Sequence, residues 1–125
     1  MKHKLFSTEK LSQDIRGEIY ELKTKDGLKV KFLTLHKGFA RGGHSHPYQE
    51  EFFIISGEAE FHVGTVEAHE KATHHAGETV RIPIGVPHYV VATSDLVFAE
   101  LAPLDREYVA ENYEPFRSIV TKLLL

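Results

Sequence analysis

Two punctuated segments constrain this chain more than anything else in it: Gly38-x5-His44-x-His46-x3-Glu50-x6-Gly57 and Gly77-x5-Pro83-x-Gly85-x2-His88. The first supplies three candidate ligands, His44, His46 and Glu50, and the second supplies His88. Side chains alternate faces along an extended strand, and His44, His46 and Glu50 have equal parity, so they are predicted to project to one side. Pro83, Gly85 and Pro87 crowd the approach to His88 and predict a tight turn that delivers it at the start of a new strand. Three imidazoles and one carboxylate suit a borderline divalent ion such as Zn, Fe, Mn, Ni or Co. The same four groups close a tetrahedral structural site or leave two positions of an octahedron open for substrate or water. The sequence leaves both geometries open, as well as a scaffold that keeps the residues without metal.

The two-part pattern resembles the signature of the cupin superfamily, a first motif with two His and one Glu and a second with one His. The resemblance spans roughly residues 30–102. It implies an all-β, double-stranded β-helix or jelly-roll barrel and a single domain over residues 1–125, with the barrel core at about 19–102. It also implies a bound divalent metal held by His44, His46, Glu50 and His88, and a homodimer. One position departs. The second motif often ends in Asn, and this chain has Ala92 there, which implies altered hydrogen bonding along that strand or beside the pocket.

The strand pattern read from the residues agrees with such a fold. Ile19–Lys23 and Val30–Lys37 read as strands around a Lys25-Asp26-Gly27 turn, a strong hairpin signal. Val30, Phe32, Thr34 and His36 are assigned to one face of the second strand, and Lys31, Leu33, Leu35 and Lys37 to the other. Further strands are predicted at 50–55, 58–63, 80–82, 88–92 and 96–101, with His62 on the polar side of its strand. The polar stretch from Glu67 to His75 reads as a solvated loop, whose His69, His74 and His75 form a second, adventitious metal site in the competing reading. Short, regularly spaced strands with Gly, Pro and Asp punctuation indicate an antiparallel sandwich or barrel. Beyond Pro103, Asp105–Tyr113 is helix-compatible, Pro115 interrupts, and Phe116–Leu125 follows. One or two short helices over about 105–125 are expected outside the barrel. The apolar Leu33, Leu35, Phe53 and Ile55 are assigned to outer faces, where they suit a dimer interface or a second sheet.

Composition excludes several classes of function. The chain has no Cys, which removes disulfides, thiolate metal sites and cysteine nucleophiles. Net charge is -3, so no nucleic-acid or anionic-membrane partner is indicated. No apolar run has signal-peptide or membrane-span length, and a cytoplasmic protein with a small-molecule ligand is expected.

Around the metal, Thr34, His36, Tyr48 and Gln49 are the candidate polar groups, with His36 and Tyr48 as the catalytic candidates. A second resemblance bears on substrate. Asp14-Ile15-Arg16-Gly17-Glu18-Ile19 and Arg41-Gly42-Gly43-His44-Ser45-His46 are similar to segments of nucleotide-sugar ketoisomerase cupins. The resemblance implies that Arg16 and Arg41 bind a nucleotide diphosphate through forked, charged hydrogen bonds. It also assigns acid/base roles to the paired His, but an imidazole bound to metal is not a free base. A metal-dependent isomerase or epimerase of a sugar or sugar nucleotide is therefore expected. A metal-dependent dioxygenase and a non-catalytic binding or sensor cupin are the alternatives.

Overall fold

A computed structural model describes residues 5–101 and 109–122. It sorts the strands into two antiparallel sheets. The strands are β1 (Phe6–Asp14), β2 (Gly17–Thr24), β3 (Lys29–Leu35), β4 (Ala40–Ser45), β5 (Glu50–Ser56), β6 (Glu58–Gly64), β7 (His69–His75), β8 (Thr79–Ile82), β9 (His88–Ala92), β10 (Leu96–Leu101) and β11 (Glu111–Asn112). One sheet runs β1-β2-β3-β10-β5-β8 and the other β11-β4-β9-β6-β7. This is the jelly-roll arrangement of two facing sheets.

Strand alternation places the core between the sheets. Leu33 and Leu35 of β3, Phe52 and Ile54 of β5, Ala59 and Phe61 of β6, Val90 and Ala92 of β9, and Leu96 and Phe98 of β10 all point inward. Each large apolar side chain buried this way contributes about 1.5–3 kcal/mol, against about 0–1 kcal/mol for a surface ion pair. The seam between the sheets therefore dominates the stability. Leu33 and Leu35 are 5% and 1% exposed, which corrects their assignment to an outer face. Leu33 pairs with Phe98 and Leu35 with Leu96, both core residues, and the parity of β3 follows. Phe53 and Ile55 do face outward. Ala92 is also core, and its backbone is satisfied by Phe39 O and Gly38 N. No polar side chain is needed at this position to pair that backbone.

Three elements differ from the sequence expectation. Residues 69–75 form β7, an edge strand paired with β6, and not a loop. Its residues are exposed, apart from the partly buried His74, so they carry no apolar alternation to reveal it. β1 is likewise an exposed edge strand, paired with β2. At the other end a single helix, α1 (Glu114–Lys122), is present. Pro115 lies in its first turn, where a missing N–H costs nothing, so it starts the helix and does not interrupt one. Residues 109 and 110 lack regular structure and Glu111–Asn112 is extended; the rest of the helix expected over 105–113 lies outside the described residues.

Helix α1 packs on the outer face of the five-stranded sheet. Phe116 and Val120, four residues apart on one helix face, are buried against Ala40 and Tyr89 in a second, smaller core. His62 belongs to this layer. Its ring stacks on Tyr89 at 4.2 Å and Nε2 meets Glu60 at 2.7 Å. The helix covers the face assigned to solvent, so His62 is buried there and not on a polar surface. Among the described residues no helix is long and apolar enough to cross a membrane.

Candidate metal centre

The three imidazoles reach one point by different routes. β4 and β9 pair with His44 opposite His88, after a bulge between Gly42 and His44. A bulge adds a residue and re-aims the side chains beyond it. Helix α1 and the residue before it brace this bulge, through Arg117 Nη1–H to Gly42 O at 2.8 Å and Tyr113 N–H to Gly43 O at 2.9 Å. His46 lies just past β4, and Glu50 opens β5 in the opposite sheet. The equal parity of His44, His46 and Glu50 is therefore not the reason they converge. The strand breaks at 46–49 around Pro47, and the chain crosses between sheets, so the donors face one another across the mouth of the sandwich. Gly85 N–H donates to His46 O at 2.8 Å and ties the second motif to the first.

The ring centroids of His44, His46 and His88 lie 4.6, 5.1 and 5.6 Å apart. A Glu50 oxygen lies 2.9 Å from His46 Nε2 and 3.2 Å from His88 Nε2. His46, Glu50 and His88 are 3%, 1% and 4% exposed. Behind the donors, backbone carbonyls set the rings. His46 Nδ1 contacts Val109 O at 2.6 Å and His88 Nδ1 contacts Val86 O at 3.2 Å. A carbonyl only accepts, so each Nδ1 carries a proton, which leaves each Nε2 as the nitrogen that would turn to an ion at the centre. Tyr48 stacks on His46 at 5.0 Å, and its hydroxyl accepts from Val109 N–H at 3.4 Å.

Burial, and then the neighbouring His88 and His46, push the His44 imidazole down to about 4. Burial also pulls His46 down, but its contacts with Glu50 and Val109 O outweigh it and the net shift is upward. Burial pushes the Glu50 carboxyl up, and the two imidazoles more than reverse this, holding it below the usual carboxylate range. In the metal-free chain, His44 is protonated more readily unfolded than folded. Its contribution to stability is thus present above pH 6.5 and is lost as pH falls toward about 4. His46 has the opposite sign: its contribution is present below pH 6.5 and lost as pH rises through its raised pKa. An NMR titration of the metal-free chain is expected to place His44 near 4 and His46 above the ordinary imidazole value. A His44 midpoint near 6.5 contradicts this account of its burial.

The residues fit a divalent ion. Donor atoms of His44, His46 and His88 lie within 4.8 Å of one another, a spread close to that of ligands around an ion at about 2.1 Å. Both Glu50 oxygens are buried without a well-formed hydrogen bond, and such a carboxylate is costly unless a cation accompanies it. His44, His46, Glu50 and His88 would hold the ion.

Beside the donors lies a cavity of about 380 Å³, lined by His44, His88, Arg16, Arg41, Arg117 and Glu100 among others. Arg41 is 7% exposed, donates to Thr34 O at 3.4 Å, and leaves its Nε without a partner. Arg16 forks onto Asp14, with contacts of 2.7 and 3.1 Å, and draws that carboxyl down to about 2. His36 is not brought to the site. It follows β3 on the outward parity of Phe32 and Thr34, its side chain is 59% exposed, and it approaches Asp95 at 3.9 Å. Tyr48 does not line the cavity; it lies behind His46. Gln49 is exposed and within 3.5 Å of Glu51. His69, His74 and His75 do not assemble a donor group among the described residues; His74 and His75 pair with Glu78 on the surface.

Sequence reasoning missed Glu100 and Arg117. Glu100 continues the inward parity of Leu96 and Phe98, and an acid at that position was the available signal. Burial and the adjacent Glu50 raise its carboxyl well above the usual range. Arg117 enters through the packing of α1, which no local pattern encodes.

Residues 31–101 match the family model of the cupin domain, and the chain belongs to that family. It is 36% identical over 97 residues to the UDP-2-acetamido-2,6-beta-L-arabino-hexul-4-ose reductase of Pseudomonas aeruginosa, a match covering 70% of this chain and 26% of the reductase. Among solved structures it is similar to the capsular polysaccharide assembling protein CapF of Staphylococcus aureus, with a TM-score of 0.67, 22% identity and coverage of 85% of this chain and 31% of that one. It is also similar to the oxalate decarboxylase of Bacillus subtilis, a protein with Mn(II) centres, with a TM-score of 0.69, 22% identity and coverage of 94% and 34%. The chain thus spans about a quarter to a third of each of these proteins.

Proposed function

We propose that this chain is a metal-dependent enzyme that epimerises or isomerises a keto sugar or sugar nucleotide. The observation that carries the reading is the junction of the His44–His46–Glu50–His88 donor set with a cavity lined by Arg16, Arg41 and Arg117. Such a cavity suits an oxygen-rich, anionic substrate held beside an ion. The relative at 36% identity supports the substrate class, because its name specifies a UDP-linked hexul-4-ose, a sugar with a ketone at carbon 4. Hydrogens on the carbons flanking a ketone are acidic, and a bound divalent ion supplies the polarisation of the carbonyl that makes them more so. The chain's own residues bind and orient. Arg41 and Arg16 engage anionic oxygens, and the Nδ1 contacts to Val109 O and Val86 O hold the imidazoles in place. The apolar Phe52, Phe61 and Val90 wall excludes water.

The test is exchange at carbon. The metal-loaded chain is incubated with a UDP-linked 4-keto sugar in D2O and followed by proton NMR. Deuterium is expected at a carbon next to the ketone, and the exchange is expected to stop with a chelator. Substrate analogues that raise the melting temperature with no exchange at all would instead favour a non-catalytic binding cupin. We propose as well that the chain forms a homodimer through an outward face that includes Phe53 and Ile55, which are 40% and 42% exposed. Light scattering checks this by mass.

A further inference from the structure

The four predicted ligands leave one carboxyl at the site unexplained. Glu100 stands opposite Phe52 of β5 and Lys31 of β3, in the middle of the six-stranded sheet. An acid in that position interrupts an otherwise apolar inward row, Leu96 and Phe98, and faces the cavity. Its carboxyl, that of Glu50 and an imidazole nitrogen of His46 all lie within 4.8 Å of one another. This triad shares His46 with the triad of His44, His46 and His88. Two carboxyls brought together in a buried pocket repel when both are ionised, so either one keeps its proton or a cation lies between them. Both Glu50 oxygens are buried without a well-formed hydrogen bond, and the nearest polar groups are the metal-facing nitrogens of His46 and His88, at 2.9 and 3.2 Å. A divalent ion at the overlap of the two triads removes the repulsion and satisfies Glu50 together.

We propose that Glu100 is a fifth protein ligand, so that the centre offers three imidazoles and two carboxylates. The inference rests on the metal centre of the proposed function and is independent of its sugar chemistry. Five protein donors exceed the four of a tetrahedral zinc site. They fit an octahedral ion with one position left for a substrate oxygen. Two carboxylates also shift the donor set toward harder ions, Mn2+ among them. Glu100 thereby sets which metal is held and how many positions remain open.

The experiment compares Mn2+ and Zn2+ dissociation constants of the full chain for wild type, E100Q and E100D, using the EPR signal of free Mn2+ and competition for Zn2+. E51Q, on the opposite face of β5, is the control. E100Q is expected to weaken Mn2+ binding by at least about 10- to 100-fold, the range that loss of a carboxylate behind the ligands already produces. Zn2+ is expected to weaken by much less, and E51Q to leave both unchanged. If E100Q does not fold, as judged by circular dichroism, E100D carries the test, because its shorter arm withdraws the oxygen. Mn2+ affinity within twofold of wild type, or an equal loss for both ions, overturns the proposal. The His88 site and the deuterium exchange are read separately, so failure here leaves the four-ligand centre and the sugar reading standing.

Discussion

Replacing His88 with Ala is expected to take the chain from close to one metal ion per molecule to less than about a tenth under dialysis. Binding free energies of protein metal sites run to about 10–16 kcal/mol when shared among four ligands, so one ligand accounts for roughly 3 kcal/mol, or about 100-fold in affinity. His88 is a demanding position to lose for a second reason. Its Nε2 lies 3.2 Å from a Glu50 oxygen, and Glu50 is 1% exposed. The variant thus removes a metal donor and strips a buried carboxylate of a neighbour. Elemental analysis of wild type and His88→Ala, purified without a tag, checks the loss. Equal metal content in the two would remove His88 from the centre.

The Gly57→Ala variant is expected to lose about 3–5 kcal/mol of stability and on the order of 10 °C in melting temperature. Gly57 joins β5 to β6 at a φ of 92°, a conformation that L side chains rarely adopt. An added Cβ would lie 2.2 Å from Asp95 O and 3.0 Å from Leu96 Cα, both backbone atoms that cannot rotate away. Relief requires β10 to move off β5, which opens the core at Phe98 and Ile54 and shifts Glu50 at the far end of β5. Gly27→Ala is the matched control, with a φ of 96° and nothing within 4 Å of its Cβ position. It carries the backbone strain without the collision and is expected to cost about 1–2 kcal/mol. Thermal unfolding of the two variants separates the terms, and equal losses would mean that the β5–β6 turn adjusts freely.

The candidate donors were legible as a cluster because a His, His, Glu and His set at motif spacing has few other uses, and because Pro83, Gly85 and Pro87 mark the turn before His88. The geometry behind them was not. Parity along one strand pointed to a shared face for His44, His46 and Glu50, whereas the chain crosses from one sheet to the other between them. Apolar alternation located β5, β6, β9 and β10, whose inward rows form the core. It had nothing to detect in the exposed edge strands β1 and β7. His36 was misplaced for a related reason. Periodicity says which residues share a face, and it took the packing of Leu33 and Leu35 against β10 to show which face is inside. Arg117 reaches the cavity through the packing of α1 alone, whereas Glu100 was overlooked on an inward row of β10 whose parity Leu96 and Phe98 set.

The most direct test is anomalous diffraction at the metal edge from crystals of the metal-reconstituted chain. One peak is predicted per molecule, about 2.0–2.3 Å from a nitrogen of each of His44, His46 and His88 and from an oxygen of Glu50. A peak at the surface pairing of His74 and His75 with Glu78, or no peak at the four donors after reconstitution, would contradict the metal centre and the function built on it.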